Sequence, residues 1–380
     1  MWYSNVSETT TAFFCSACSA VSAMIVVGAA APASAQSVAR FSLESVVAAD
    51  EFAGENVSHR PQFVVDVSLA VRMGDNWQIY VRPWFKMLRP TSSTAAIPPW
   101  DKELYQAGVR YERRGAIATR VDAGYILSPI GLGIYDVRPG LNPMIVPHLS
   151  YLTPVTMPVF DPTGPRVSAV SATYPLGAQL SLSAGRWDAR AAVINAAPTR
   201  RYAVGAVTNP RQTPVVVAGG GVTPITGLRL GASFAHGLYA TREEITVPAS
   251  PGRAMTMAGA EGEWALGGTK ISGEILRTGF QSAASSSVAY EWFVQGQQTL
   301  SPRWFAAARR EGTSAPPPIG GTSIGSRGSR TDLQVFEATA GFRVTRDVTL
   351  RSSYYTRRFY GESTWIDQAG VSLVWAHRWW

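Results

Sequence analysis

The stretch that decides the fold is ELYQAGVRYERRGAIATRVDAGY, Glu103 to Tyr125. Its two halves each alternate between apolar and polar or charged residues, and Arg113-Arg114-Gly115 separates them. Each half has about ten residues, the length with which a tilted β-strand crosses a bilayer. The stretch therefore predicts an antiparallel hairpin with one apolar and one polar face.

The segment behind this hairpin, from Ser128 to Pro165, contains eight prolines and follows neither a helical nor a strand period. Loops of this length without regular structure are usually functional or disordered. The segment therefore predicts a long loop that folds into the mouth of a barrel.

Strand patterns of the same kind recur along the whole chain, joined alternately by short turns and long loops. Segment 177–196 counts as one strand unless Arg186-Trp187-Asp188 breaks it in two. The predicted strands are 38–48, 62–72, 77–87, 103–112, 117–125, 167–174, 177–196, 214–222, 228–234, 254–265, 269–278, 288–300, 303–310, 331–344, 348–357 and 365–380. An even count with this rhythm predicts an all-β fold: a transmembrane, up-and-down antiparallel β-barrel of about 16 strands, with a long inward-folded loop after strand 5.

Composition agrees with a barrel in lipid. Charged residues make up 16% of the chain, twelve residues are Trp, and mean hydropathy is near zero, as expected when each strand is half apolar and half polar. After residue 35 no 18 apolar residues follow one another, which argues against a helical membrane protein.

The first 35 residues predict an export signal, so that 1–35 is a signal peptide and 36–380 the barrel. An apolar run ends at Ala33-Ser34-Ala35, a typical cleavage site, although the segment before the run holds Glu8 and no Lys or Arg. Both cysteines, Cys15 and Cys18, lie inside this segment. The exported chain would then have no disulfide and no cysteine-based metal site or nucleophile.

The formal charge of +8 comes mostly from arginines, which are spread singly along the strands instead of forming a basic helix or tail. This distribution disfavours nucleic acid as a partner and favours a channel wall that attracts anions. The predicted pore-lining and constriction residues are Arg72, Arg82, Lys86, Arg110, Arg120 and Asp122 on strands two to five, and Asp136, Arg138, Asp161 and Arg166 on the long loop. The alternative is that inward charges simply pair across strands and keep the lumen wet.

Other chemistry has little support in the sequence. The four histidines, His59, His148, His236 and His377, have no metal-ligand spacing and are expected at the surface or rim, and neither a metal nor another cofactor is implied. His148 with Ser150 is the only pair that suggests a hydrolase, and no G-x-S-x-G motif accompanies it.

Tryptophans near strand ends indicate an aromatic girdle at the membrane interfaces. They are Trp77, Trp84, Trp264, Trp292, Trp304, Trp375 and Trp379. Trp84 and Tyr80 fall on the inward frame, where they are also candidates for a surface along which sugars slide.

In strand rhythm, in the long loop after the fifth strand and in its aromatic C-terminus, the chain resembles the sixteen-stranded outer-membrane porins of Gram-negative bacteria. The short phrase 124–132 also resembles phosphate-selective-type porins. The resemblance implies a loop that narrows the pore and a homotrimer in outer-membrane lipid. It also implies a terminal residue, here Trp380 where Phe is commoner, that the barrel-assembly machinery reads.

The function expected from these patterns is passive diffusion of small hydrophilic solutes with a mild preference for anions, without catalysis. Two alternatives stay open. One is an outer-membrane barrel hydrolase of the phospholipase or protease kind, which needs a Ser/His pair at the outer rim. The other is a structural or adhesion barrel with a plugged lumen.

Overall fold

The computed structural model describes residues 39–54, 57–87, 101–148, 151, 161, 163–165, 167–170, 174–200, 213–246, 251–283, 286–314, 332–358 and 362–379. The predicted signal peptide, Arg166 and Trp380 lie outside these residues. The chain forms one closed barrel of sixteen strands, in which every strand pairs antiparallel with its neighbours in sequence and the first closes on the last. The predicted fold class is confirmed.

The strands are β1 (Arg40–Gly54), β2 (Val57–Met73), β3 (Trp77–Met87), β4 (Asp101–Arg113), β5 (Ala118–Tyr125), β6 (Leu176–Ala184), β7 (Trp187–Ile194), β8 (Val215–Ile225), β9 (Leu228–Ala240), β10 (Arg253–Leu266), β11 (Thr269–Gln281), β12 (Ser286–Thr299), β13 (Trp304–Ser314), β14 (Asp332–Arg343), β15 (Val348–Arg358) and β16 (Ile366–Arg378). Two short 3₁₀ turns, Gly133–Val137 and Arg242–Glu244, lie in loops.

The two rims of the barrel differ. One, the short-turn rim, carries tight turns such as 74–76 and 267–268, together with the start of β1 and the end of β16. The other, the long-loop rim, carries the connection from β5 to β6 and most other long connections. Outward positions on the strands are mainly apolar and exposed, and inward positions are mainly polar or small. This alternation is the one expected of a barrel with lipid outside and a polar lumen.

Two predicted strands were wrong in compensating ways. In the predicted strand 167–174, the described residues 167–170 and 174 are not in a strand; Val167, Ala169 and Val170 are buried inside the barrel as part of the long loop. Segment 177–196 is two strands, because Gly185 takes a left-handed conformation (φ 54°) that turns the chain between β6 and β7. The short turn predicted at 174–177 therefore lies at 185–186, while the total of sixteen strands is unchanged.

The first hairpin is longer than predicted. β1 runs on to Gly54 and β2 begins at Val57, so His59 lies in a strand and not in a polar loop. The pairing of β1 with β2 has a register shift between Phe52 and Gly54.

A register shift between β3 and β4, the first strand of the hairpin 103–125, changes the direction of one side chain. Between Arg82 and Pro83 of β3, the partner on β4 moves from Gln106 to Leu104, so one extra residue opposes β3. Tyr105, which simple alternation puts on the outer face, is therefore buried inside and stacks on Trp84 with ring centroids 4.3 Å apart.

Candidate functional site

The described residues of the long loop between β5 and β6 lie inside the lumen, as predicted. Its apolar side chains form its own small core: Ile126, Ile130, Ile134, Met144 and Ile145 are all buried. Ile126, Ile130 and Ile134 pack against inward apolar side chains of the wall, mainly from β8 to β12, whereas Met144 lies beside Thr339 of β14. The loop is therefore a packed element of the lumen.

Glu274 on β11 anchors the first part of this loop. Its carboxylate accepts hydrogen bonds from the backbone N–H groups of Leu132 and Gly133 (3.1 Å for Gly133) and from the hydroxyl of Tyr151. Burial, followed by the charge of Glu274, raises the pKa of Tyr151 well above its usual range, so the hydroxyl stays a donor. A Cβ on Gly133 would lie 2.6 Å from the Tyr151 ring, which explains the glycine here.

A second anchor is a set of buried charges on β13, β14 and β15. The Arg351 guanidinium donates to the carbonyl oxygens of Asn142 (2.8 Å) and Met144 (2.6 Å). The Glu337 carboxylate accepts from the N–H groups of Ile145 (2.9 Å) and Val146 (3.1 Å). Charged side chains thus satisfy backbone groups that a loop without regular structure leaves unpaired.

Arg309 and His148 extend this second anchor along β13. Arg309 donates to the carbonyl oxygen of Val146 at 2.8 Å and lies 3.3 Å from Glu337. The His148 ring lies 3.1 Å from the Glu311 carboxylate. The prediction that all four histidines lie at the surface or rim was wrong for His148, which is buried.

The loop also reaches the opposite side of the wall. Arg138 lies 3.0 Å from Asp66 of β2 and 3.2 Å from Glu44 of β1. The same Asp66 carboxylate accepts two hydrogen bonds from Arg82, at 2.6 and 2.7 Å. This chain of charges joins β1, β2 and β3 to the loop.

The far end of the loop has its own contacts. Asp161 pairs with Arg253 of β10 at 3.2 Å and accepts hydrogen bonds from the Thr163 N–H and hydroxyl. Burial opposes ionisation, but these hydrogen bonds and the charge of Arg253 outweigh it and hold the pKa of Asp161 below its usual range. Tyr174 packs on Tyr105, with ring centroids 4.1 Å apart.

Together these contacts of the described loop residues narrow the lumen at the level of the loop. Described loop residues contact strands on opposite sides of the barrel, from β1–β4 to β10–β15. Every described strand except β6 has an inward side chain that is buried, and Trp84, far from being a sugar-binding surface, is completely covered. A barrel of this size normally leaves an aqueous channel, and the described loop residues occupy part of that space here.

Toward the short-turn rim, inward charged side chains are exposed to the lumen. There, arginine side chains lie over carboxylates that are covered. Asp122 is 4% exposed and lies beneath Arg110 and Arg120, at 2.7 and 2.6 Å, and Arg120 is 43% exposed. Glu261 is 1% exposed beneath Arg190 and Arg229. In the first group the guanidinium groups are more exposed than the Asp122 carboxylate. In the second, Glu261 is covered, but Arg229 also pairs with Asp188, which is 35% exposed.

The structure puts the predicted wall residues on the inner face and also pairs them. Besides the groups above, Lys86 contacts Glu103 at 2.7 Å and Arg72 contacts Glu112 at 3.0 Å. These are the cross-strand pairs of the alternative interpretation. Among the loop residues, Asp136 lies in the 3₁₀ turn, and its side chain is outside the described part of the chain.

The anchoring residues Glu274, Arg309, Glu337 and Arg351 were missed. Their alternation already predicts an inward direction, but the candidate set was drawn from strands two to five only. What the sequence does not contain is the path of the loop, which brings its backbone to these four side chains.

Signals for other site types are weak. Among the described residues, no three His, Cys, Asp or Glu side chains are close enough to hold a metal ion. His148 is inside the barrel, and Ser150, its suggested partner, lies outside the described residues. No helix in the described ranges is long and apolar enough to cross a membrane.

Comparison with known proteins shows which solved structures share this barrel fold. No protein-family model and no curated protein matches the chain. Among solved structures, Salmonella typhi OmpF matches with a TM-score of 0.58 at 10% identity, covering 89% of this chain and 97% of OmpF. The chain has the fold of the sixteen-stranded outer-membrane porins.

Two further structures support the same fold. Pseudomonas putida OprB has a TM-score of 0.58 at 9% identity, covering 89% of this chain and 94% of OprB. The outer membrane channel DcaP of Acinetobacter baumannii has a TM-score of 0.54 at 10% identity, covering 90% of this chain and 99% of DcaP. At these identities the matches show the fold.

Proposed function

We propose that this protein is an outer-membrane channel of the porin type that passes small hydrophilic solutes by diffusion, through a lumen that its inward loop narrows strongly. The observation that best supports this proposal is the charged, water-exposed wall of the lumen between the loop and the short-turn rim. Such a wall serves permeation and has no use in a barrel whose lumen is only structural filling.

A mild preference for anions follows from the layering of this wall. Arg110 and Arg120 expose their guanidinium groups while Asp122 is covered, so an ion in the lumen meets the cations first. Low-dielectric walls focus this field into the water between them. The pairing of the other wall charges keeps the preference mild.

The test is the reversal potential of the mature protein in planar bilayers under a potassium chloride gradient. We expect anion selectivity, and a shift toward cations when Arg110→Gln and Arg120→Gln are combined, because the Asp122 carboxylate then loses both of its guanidinium partners. The exposed Arg346 of the last turn gives a matched control, Arg346→Gln. Open but cation-selective or unselective conductance of the unaltered protein would refute the anion preference and leave the channel.

A second function, a plugged structural or adhesion barrel, is favoured by the burial of inward side chains all around the loop. The same recordings separate the two, because a plugged barrel stays closed to ions whatever its charge pattern. No comparable observation favours the hydrolase.

The remaining parts of the proposal concern export and assembly. We propose that the chain is exported with cleavage after Ala35, that Trp380 is read by the assembly machinery, and that the barrel forms a homotrimer. The support is the cleavage-site pattern, the aromatic C-terminus and the resemblance to porins.

A further inference from the structure

Five exposed arginines form an arc on the short-turn rim of the barrel. Arg40 is the first residue of β1 and Arg378 is the last residue of β16. Arg113 ends β4, Arg114 begins the turn to β5, and Arg186 lies in the turn between β6 and β7. β16 pairs with β1, and β1 to β7 follow one another around the barrel. Because neighbouring strands are about 4.8 Å apart, this basic arc spans roughly 35 Å of the rim.

The basic arc has little negative charge of its own. Among the described residues, four of its arginines form no ion pair, and the fifth, Arg186, donates to the carbonyl oxygen of Pro224 at 3.1 Å. In the described turns of this part of the rim, Asp75 is the only acidic residue. Exposed like charges without counterions on the protein attract anionic partners from the surrounding water.

One cross-strand pair in the arc joins like charges. Arg40 pairs in register with Arg72 of β2, and like charges directly opposite each other destabilise a sheet. Glu112 lies 3.0 Å from Arg72 and offsets its charge, whereas the charge of Arg40 is left over. A local arrangement that costs stability is expected where a surface serves binding.

The basic arc faces the water at the mouth of the lumen and not the lipid. Arg40 and Arg378 lie on the frame of their strands that carries the buried, inward side chains. The outward frame of the same two strands ends in Phe41 and Trp375, as expected at a membrane interface. A partner of these arginines therefore comes from the aqueous side.

We propose that the basic arc docks an acidic segment of a water-soluble protein. Planar guanidinium groups bind carboxylates in a bidentate way, which suits exposed Asp and Glu side chains. An extended segment of about ten residues spans roughly 35 Å, the length of the arc. In a porin-type barrel the short turns face the periplasm, so the partner is a periplasmic protein. The inference rests on that orientation from the proposed function and not on channel activity.

The experiment measures binding of a labelled deca-glutamate peptide to the refolded mature barrel in neutral detergent, by fluorescence anisotropy at low salt. A neutral peptide of the same length, (Gly-Ser)5, is the comparison ligand, and phosphatidylglycerol is added as a competitor. Three double variants are compared: Arg40→Gln/Arg378→Gln at the mouth, Arg113→Gln/Arg114→Gln at the turn, and, as the matched control, Arg277→Gln/Arg310→Gln, which removes two exposed arginines from the outward frame of β11 and β13.

We expect each rim double variant to bind deca-glutamate roughly fourfold more weakly, about twofold for each exposed ion pair that is lost. The two doubles combined should bind it roughly 15-fold more weakly, and the control as tightly as the unaltered barrel. Added salt should weaken binding to the unaltered barrel, because it screens exposed charges. The turn double keeps the test valid if the mouth double fails to fold.

Three results would overturn the proposal. In the first, the rim doubles would bind deca-glutamate as tightly as the control does. In the second, the neutral peptide would bind the unaltered barrel as tightly as deca-glutamate. In the third, phosphatidylglycerol would displace the peptide at an equal concentration of charge, which would make the arc a surface for lipid headgroups.

This binding test is separate from the test of the channel. A barrel that conducts ions but does not bind deca-glutamate refutes the docking surface and leaves the channel. A barrel that binds the peptide but stays closed to ions refutes the channel and leaves the docking surface.

Discussion

Arg351 is the side chain whose removal should most directly loosen the loop. It is 2% exposed and donates to the carbonyl oxygens of Asn142 and Met144. Breaking a buried charged interaction of this kind costs about 3–5 kcal/mol because the remaining partners stay unsatisfied. We expect Arg351→Met to raise the single-channel conductance severalfold.

The control for this variant is Arg343→Met. Arg343 also faces inward, but near the short-turn rim, where it donates to the carbonyl oxygen of Pro302 and not to the loop. Equal conductance of Arg351→Met and the unaltered barrel, with both folded, would show that Arg351 does not hold the loop.

Arg82 should behave differently from the exposed arginines of the wall. Its guanidinium binds Asp66 through two atoms, and Asp66 also pairs with Arg138 of the loop. We expect Arg82→Gln to lower the temperature at which the barrel unfolds, because it uncovers a buried carboxylate. The measurement is the temperature at which gel mobility changes from that of the folded barrel to that of the unfolded chain. The control is Arg120→Gln, which should unfold near the temperature of the unaltered barrel. A selectivity shift without loss of stability would contradict this account of Arg82.

At the scale of elements, the loop can be locked to the wall. The Cβ position of Gly140 lies 3.7 Å from the Ala376 Cβ on β16, within the range of disulfides. Both native cysteines precede residue 36, so Gly140→Cys/Ala376→Cys would hold the only cysteine pair of the exported chain. If permeation needs the loop to move, oxidation lowers conductance and reduction restores it.

The single variants Gly140→Cys and Ala376→Cys are the controls, and neither should respond to the redox state. A double variant that forms its disulfide and conducts unchanged would mean that solutes pass a stationary loop.

The Asp161–Arg253 tether predicts a dependence on pH. Because the folded pKa of Asp161 lies below its usual value, the tether contributes stability above that usual value and loses it as the pH falls through the folded pKa. We expect the loop to become accessible to pepsin on going from about pH 5 to about pH 3. At about pH 5 the Asp161→Asn variant should be cleaved as readily as the unaltered protein is at about pH 3. If pepsin cleaves the variant and the unaltered protein equally slowly at about pH 5, the tether does not hold the loop.

Apolar–polar alternation in the sequence predicts the facing of some elements correctly and of others wrongly. Alternation fixed the inward face of β2 and β3 residue by residue, since one side of each strand must meet lipid. It failed at Tyr105, where a bulge moves the side chain to the other face, and at 167–174, whose apolar residues pack in the lumen. An apolar residue buried by a loop and one buried by lipid leave the same pattern in the sequence.

For the whole molecule, closure of the barrel was predictable and the anchoring of the loop was not. Strand number follows from counting apolar stretches and turns. The anchors Glu274, Glu337 and Arg351 depend on contacts between residues more than a hundred positions apart along the chain. Their charges were visible, but only the path of the loop explains why so many ionisable groups are buried.

The central claim is that the loop between β5 and β6 narrows the lumen. Its ends are adjacent, with the Ile126 N–H 3.0 Å from the Pro175 carbonyl oxygen, so a short Gly/Ser linker can replace residues 128–173. The decisive measurement is the single-channel conductance of this shortened barrel beside the unaltered one. We predict a large, steady conductance for the shortened barrel and a much smaller, measurable one for the unaltered barrel; equal conductance would contradict the claim.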